Sequence, residues 1–232
     1  MQRSLIVGMG QIGSALKEIL SKTYDWDNLA GFDRKGSFGD LEKSFDIMHV
    51  CFPYDNDFIE QVQIYQAKYK PKYTVIHSTV KVGTCWQLNA ISSPVLGIHP
   101  NLESGIKTFI KFLGGEQASE VADYFRRAGL KIYITEKSET TELMKILDTT
   151  FYGVCIEYTK DVKRQCEKYG VPFEAWTLWT DNYNKGYKEL GHQEFTRPNL
   201  VPIQTSIKGH CILPNTELLE TPFTELIKKL NG

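Results

Sequence analysis

The sequence has no long apolar run. No stretch of its 232 residues approaches the ~18 apolar residues that a membrane-spanning helix needs, so no membrane partner is expected. The longest early run, Leu5-Ile6-Val7, is too short for the core of a signal peptide, and a cytoplasmic location is expected. Cysteine is sparse and scattered. Cys51, Cys85, Cys155, Cys166 and Cys211 are odd in number and form no CxxC pair, which argues against a disulfide framework and against a zinc knuckle. The histidines His49, His77, His99, His192 and His210 show no HExxH spacing, so no metal is expected. An excess of charge is missing too. The 27 basic and 28 acidic residues give a net charge of −1, which removes the electrostatic case for nucleic acid. There is no internal repeat and no low-complexity tract. What remains is 41% apolar and 24% charged, ordinary for a folded globular chain and incompatible with disorder or a collagen-like fold. At about 150 residues per domain, the length suits one full domain and a smaller companion.

Residues 1–136 alternate between short β-type runs and amphipathic segments. Strands are predicted at Ser4–Gly8, Leu29–Asp33, Asp46–Phe52, Tyr73–His77, Pro94–Ile98, Lys111–Gly114 and Leu130–Thr135. Most are rich in Val, Ile and Phe without polar alternation, as in strands buried on both faces of a parallel sheet. Helices are predicted at Gln11–Lys22, Asn56–Lys68, Gly83–Ala90, Glu103–Phe109 and Glu116–Arg127. This alternation predicts an α/β fold, a doubly wound parallel sheet of Rossmann type. Residues 137–232 predict a small all-helical domain. Leu143, Leu147, Phe151, Val154, Tyr158, Val162 and Cys166 fall on one face of a single long helix over 138–169. Gly170 and Pro172 stop it and start a second helix that ends near Leu190. After an irregular stretch from Gly191 to Gly209, short helices are expected at Pro214–Glu220 and Pro222–Leu230. The aromatic set Trp176, Trp179, Tyr183 and Tyr187 has helical spacing and reads as core or dimer packing.

Gly8-Met9-Gly10-Gln11-Ile12-Gly13 is GxGxxG, set between a predicted strand and a predicted helix. Gly8 permits the tight turn, Gly10 keeps a pyrophosphate close to the backbone, and Gly13 lets helix and strand pack closely. Gln11 and Ile12 supply amides at the helix N-terminus. Asp33 ends the next strand, twenty residues after Gly13, where an acid can accept from both ribose hydroxyls of an adenosine. This predicts dinucleotide binding. Asp33 favours NAD over NADP by repelling a 2′-phosphate, while Arg34 and Lys35 beside it leave NADP open. S-adenosylmethionine uses a similar glycine turn and acid, so a transferase is the alternative enzyme class.

Three further segments follow in a recognisable order. Val75-Ile76-His77-Ser78-Thr79-Val80-Lys81-Val82-Gly83-Thr84 resembles the STVxxGT stretch of the UDP-glucose/GDP-mannose dehydrogenase family. Glu142-Leu143-Met144-Lys145 resembles its A-E-x-x-K segment, and Lys208-Gly209-His210-Cys211-Ile212 its G-G-H-C-I segment. The resemblance implies two successive NAD-dependent hydride transfers, from a sugar-nucleotide alcohol through an aldehyde to an acid. Cys211 would be the nucleophile that traps the aldehyde, and Lys145 would stabilise charge on the reacting oxygen. Ser78 and Thr79 would lie by the nicotinamide ribose, with Glu103 and His99 beside the reacting centre. His210 and a helix N-terminus would lower the pKa of Cys211. For each of these side chains, core packing, capping or turn chemistry is the competing reading. The resemblance also implies a homodimer built on the long helix 138–169, with an arginine borrowed across it; Arg197, in an Arg-Pro pair, suits the gripping of a substrate anion.

The pattern is not complete. Thr149 stands where the family usually has Asn, Asn215 where it has Asp, and Asn101 where an acid is expected. An amide cannot act as the base that a carboxylate can. The family normally continues into a second α/β domain that helps hold the substrate's nucleotide. The expected substrate is therefore a small alcohol or aldehyde, sugar-derived ones included. A catalytically degenerate, dinucleotide-binding dimer is the non-enzymatic alternative.

Overall fold

The computed structural model describes residues 2–97, 101–208 and 211–231. It divides into two compact units, Met1–Lys145 and Ile146–Gly232. The division falls inside the long helix.

Among the described residues the first unit carries eight strands: β1 (Ser4–Val7), β2 (Leu29–Asp33), β3 (Gly36–Phe38), β4 (Ile47–Val50), β5 (Tyr73–Ile76), β6 (Ile91–Ser92), β7 (Lys111–Gly114) and β8 (Ile132–Thr135). Between them lie α1 (Gln11–Leu20), α2 (Phe58–Tyr69), α3 (Thr84–Gln87), α4 (Leu102–Thr108) and α5 (Ala118–Arg127). The strands form one sheet in the order β3-β2-β1-β4-β5-β6-β7-β8. Only the β2–β3 and β6–β7 pairs are antiparallel. This is the Rossmann-like α/β fold.

Strands β1, β4 and β5 are buried throughout, because both faces are covered. Their alternation sends successive side chains to opposite layers. Ile6, Ile47 and Val75 join Leu16 and Ile19 of α1 and Val121 and Phe125 of α5. Leu5, Val7, Met48 and Ile76 join Phe58 and Val62 of α2. From β1 the chain builds outward through β2 and β3, then returns to the other side of β1 for β4. The carboxyl ends of β1 and β4 therefore flank the switch point where open α/β sheets bind ligands.

Three local predictions are corrected. The strand expected at Pro94–Ile98 lies instead at Ile91–Ser92, in register with Val75 and Ile76. Pro94 has no amide to donate and cannot extend that ladder. The strand β3 was not predicted. It arises because an Asx turn, Asp33 Oδ1 accepting from the Lys35 N–H at 2.7 Å, folds the chain back on β2. The helix expected at Pro214–Glu220 starts earlier and ends at Thr216; Pro214 sits in its first turn, where a missing amide costs little.

The second unit is helical. The helix α6 runs Ser138–Tyr169, and α7 (Phe173–Glu189), α8 (Ile212–Thr216) and α9 (Pro222–Asn231) follow. Gly153 of α6 is a contact point: a Cβ there would lie 2.8 Å from Ile212 Cγ2 and 2.9 Å from Ile227 Cδ1, so only glycine lets α8 and α9 seat this closely. Thr221 caps α9. Its Oγ1 accepts from the Thr224 N–H at 3.1 Å, Thr224 Oγ1 accepts from the Thr221 N–H at 2.9 Å, and Pro222 occupies the first helical position. The stretch before α8 is irregular, as expected. It is pinned to α7 by Asn184, which bonds both the amide and the carbonyl of Arg197 at 2.8 and 2.9 Å. Among the described residues, no helix is long and apolar enough to cross a membrane.

Candidate cofactor cradle and its surroundings

The three glycines of the turn between β1 and α1 are held by different constraints. Gly8 has φ +94°, and a Cβ would lie 2.8 Å from the Phe52 amide nitrogen. At Gly13 a Cβ would lie 1.9 Å from the carbonyl oxygen of Gly8. Both are demanded by the protein's own backbone. Gly10 is different. Its φ of −71° and ψ of −160° suit any residue, and no described residue lies within 4 Å of a Cβ built on it. None of the described residues requires this glycine.

Gly10 is the N-cap of α1 and has no side chain to bond the amides behind it. The first-turn N–H groups of a helix lack intrahelical partners, and the helix dipole adds partial positive charge there. Gln11 is exposed, while Ile12 turns its side chain into the core and contributes backbone alone. An open cleft of about 910 Å³ borders this turn, lined by Gly10, Gln11, Ser14 and Glu18 on one side and Asn101, Glu103 and Lys107 on the other. Asp33 closes β2 with one carboxylate oxygen taken by the Lys35 amide, and Arg34 next to it is exposed. Ser78 follows β5 and donates its hydroxyl to the Phe52 carbonyl, tying the ends of β5 and β4 together. Thr79 is half-buried beside it.

The remaining candidates lie on different elements. Glu103, on α4, bridges Lys22 at 2.5 Å and Lys107 at 2.8 Å. Hydrogen bonds from Lys107 and Lys22 hold its carboxyl down to about 2, so it is a permanent carboxylate. Lys145 is half-buried at the last position of the first unit. Cys211 is exposed at the start of α8 and belongs to the second unit. His99 and His210 lie outside the described residues. In the second unit, Arg197 stacks its guanidinium 3.7 Å from the centre of the Tyr183 ring. Thr149 and Asn215, the two departures from the family's pattern, meet each other. The Asn215 Nδ2 donates to Thr149 Oγ1 at 3.1 Å, and both residues are buried.

Two sets of contacts are not legible in the sequence. Glu142 is buried and bonds the backbone at the start of α3. A polar chain also crosses the sheet beneath α5. Lys111 of β7 donates to His77 Nδ1 at 3.1 Å and to the Ser93 carbonyl at 3.3 Å, and His77 Nε2 lies 3.0 Å from His49 Nδ1. With Lys111 donating, the His77 proton sits on Nε2 and the His49 proton on its own Nε2, which has no hydrogen-bond partner among the described residues. Burial pulls His49 to about 3 and Lys111 to about 7, and pushes the neighbouring Cys51 thiol to about 12. The available signal was a histidine inside the apolar run Met48-His49-Val50 and a lysine heading Phe112-Leu113.

No family model matches the sequence, and a search of curated proteins finds no match. Solved structures do match. The UDP-D-ManNAc dehydrogenase of Pyrococcus horikoshii is 15% identical with a TM-score of 0.79, over 99% of this chain and 68% of its own. A UDP-glucose dehydrogenase from the archaeon Pyrobaculum islandicum is 14% identical with a TM-score of 0.73, over 100% and 68%. The 3-hydroxyisobutyrate dehydrogenase of Mycobacterium tuberculosis is 12% identical with a TM-score of 0.71, over 99% and 92%. At these identities the likeness is one of fold, and the chain has the fold that nucleotide-sugar dehydrogenases and a hydroxyacid dehydrogenase share.

Proposed function

We propose that this protein is an NAD-dependent oxidoreductase acting on an alcohol or aldehyde, sugar-derived substrates included. The observation that carries the reading is Gly10, a glycine that none of the described residues requires, at a helix N-terminus beside an open cleft. Leaving that position bare makes sense if another molecule lies against the backbone there. Amides from Gly10 to Ile12 would hold the diphosphate and Asp33 the adenosine ribose, with Ser78 and Thr79 toward the nicotinamide end. Bound NAD would supply the hydride acceptor. Lys145 would stabilise negative charge on the substrate oxygen, and Cys211 would serve as nucleophile if the reaction proceeds to the acid. Asp33 favours NAD over NADP, and its ribose contact distinguishes this reading least from S-adenosylmethionine. Titration with NAD, NADP and S-adenosylmethionine tests it, with NAD expected to bind tightest.

The Thr149–Asn215 pair favours a second reading. It is buried and neutral, with an amide at 215 where covalent chemistry at Cys211 would want a base. On this reading the protein binds the dinucleotide without using the cysteine. Cys211→Ser separates the two: turnover falls at least a hundredfold if the thiol attacks substrate, and is unchanged if it does not.

A homodimer through α6 completes the proposal. Leu147, Phe151, Tyr152 and Tyr158 of that helix and Leu178 and Trp179 of α7 are exposed large apolar side chains in the second unit. Apolar surface of this density is characteristic of protein–protein contact. Light scattering at micromolar concentration is expected to give twice the chain mass, and Phe151→Glu to halve it.

A further inference from the structure

Glu142 lies in the first turns of α6 and is buried. Its Oε2 accepts from the Gly83 N–H at 2.7 Å and its Oε1 from the Cys85 N–H at 2.8 Å. These amides open α3, directly after residues 78–82. Gly83 has φ +91°, so the chain enters α3 through a left-handed turn that glycine tolerates. A helix of four residues has little stability of its own. A carboxylate with each oxygen on a separate amide is a charge-assisted clamp, stronger than a neutral contact. Burial raises the Glu142 carboxyl, while bonds from Cys85 and Gly83 draw it back.

The other end of the clamp is equally fixed. A Cβ on Gly114 would lie 2.6 Å from Thr141 Oγ1 and 2.9 Å from the Lys137 carbonyl oxygen, so the start of α6 rests directly on the end of β7. Lys145 follows Glu142 by one helical turn on the same face. All of these residues belong to the first compact unit.

We propose that Glu142 is a positioning residue, whose carboxylate clamps the segment Ser78–Val82 to the first turns of α6 so that Ser78, Thr79 and Lys145 are held as one piece. This rests on the dinucleotide reading above for its consequence, though not for its geometry. Glu142→Gln is nearly isosteric but keeps one acceptor, and its amide NH₂ faces a backbone N–H, so one of the two bonds is lost. Two measurements test the proposal. Amide hydrogen exchange on the ligand-free protein is expected to speed up at least tenfold across Ser78–Cys85 in Glu142→Gln. NAD affinity is expected to fall about tenfold. Val121→Ala, a cavity in the core beneath α5, serves as a control that lowers stability while NAD affinity stays within twofold. Faster exchange confined to Gly83 and Cys85, or NAD affinity unchanged in Glu142→Gln, overturns the proposal. If the wild-type protein binds no NAD, the dinucleotide reading falls, and the exchange pattern alone decides whether Glu142 fixes the segment.

Discussion

Gly13→Ala is expected to lower stability by about 3 kcal/mol and to abolish dinucleotide binding. The added methyl would sit 1.9 Å from the Gly8 carbonyl oxygen and 3.3 Å from Ile6 Cγ2. Overpacking a dense core typically costs about 1–3 kcal/mol, and the upper end applies when the obstacle is backbone rather than a side chain that can turn aside. Relief would require α1 to move off β1, which would shift the amides of Gln11 and Ile12 out of the crevice. Urea unfolding measures the stability, and titration with NAD measures the cradle. A Gly13→Ala protein with wild-type stability would mean that α1 does not approach β1 as closely as described.

Lys111→Met is expected to stabilise the protein at neutral pH and to flatten its response to alkali. Lys111 is 5% exposed, and its pKa is drawn by burial from its ordinary 10.5 down to about 7. The groups facing it are His49 of β4, Cys51 just after that strand, His77 after β5, Ser93 after β6, and Phe125 of α5, whose ring centre is 5.4 Å from Nζ. None of these is a carboxylate. Between about pH 7 and 10.5 the unfolded lysine holds a proton that the folded one lacks, so stability rises with pH in that window. The rise is worth up to about 5 kcal/mol across it, from the difference between the two pKa values. His49, held at about 3, acts in the same direction at lower pH, with stability falling as pH drops below its ordinary 6.5 toward 3. Unfolding midpoints at pH 7 and pH 9.5 should therefore differ markedly in the wild type and little in Lys111→Met. Equal pH slopes in both would show that Lys111 stays charged in the fold.

Much of the fold was legible because it depends on local pattern. The runs Ser4–Val7, Ile47–Val50 and Tyr73–Ile76 are mostly apolar without polar alternation, as a sheet covered on both faces requires. The 138–169 helix reads from its stripe and from Gly170, and the observed helix spans Ser138–Tyr169. Errors came where one residue decided the outcome. Pro94 displaced a strand by removing a donor, and Asp33 made one by turning the chain. The cradle was legible as a motif, but the difference between Gly10 and its neighbours was not, since it depends on which atoms surround an absent Cβ. The clamp of Glu142 on Gly83 joins residues 59 apart, and the chain through His49, His77 and Lys111 joins residues 28 and 34 apart. No sequence period links such distances. The same holds for Thr149 and Asn215, each a separate departure in the sequence and a matched pair in three dimensions.

The central claim is that the backbone at Gly10 is bare in order to receive a diphosphate. Gly10→Asp tests it most directly. Aspartate is a preferred N-cap, suits the observed φ and ψ, and meets no atom of the described residues within 4 Å at its Cβ. It also places a negative charge where the diphosphate would lie. Calorimetric titration is expected to show NAD binding to the wild-type protein and at least a hundredfold weaker binding to Gly10→Asp, with a melting temperature equal to the wild type's or higher. NAD binding of equal strength in both proteins would contradict the account.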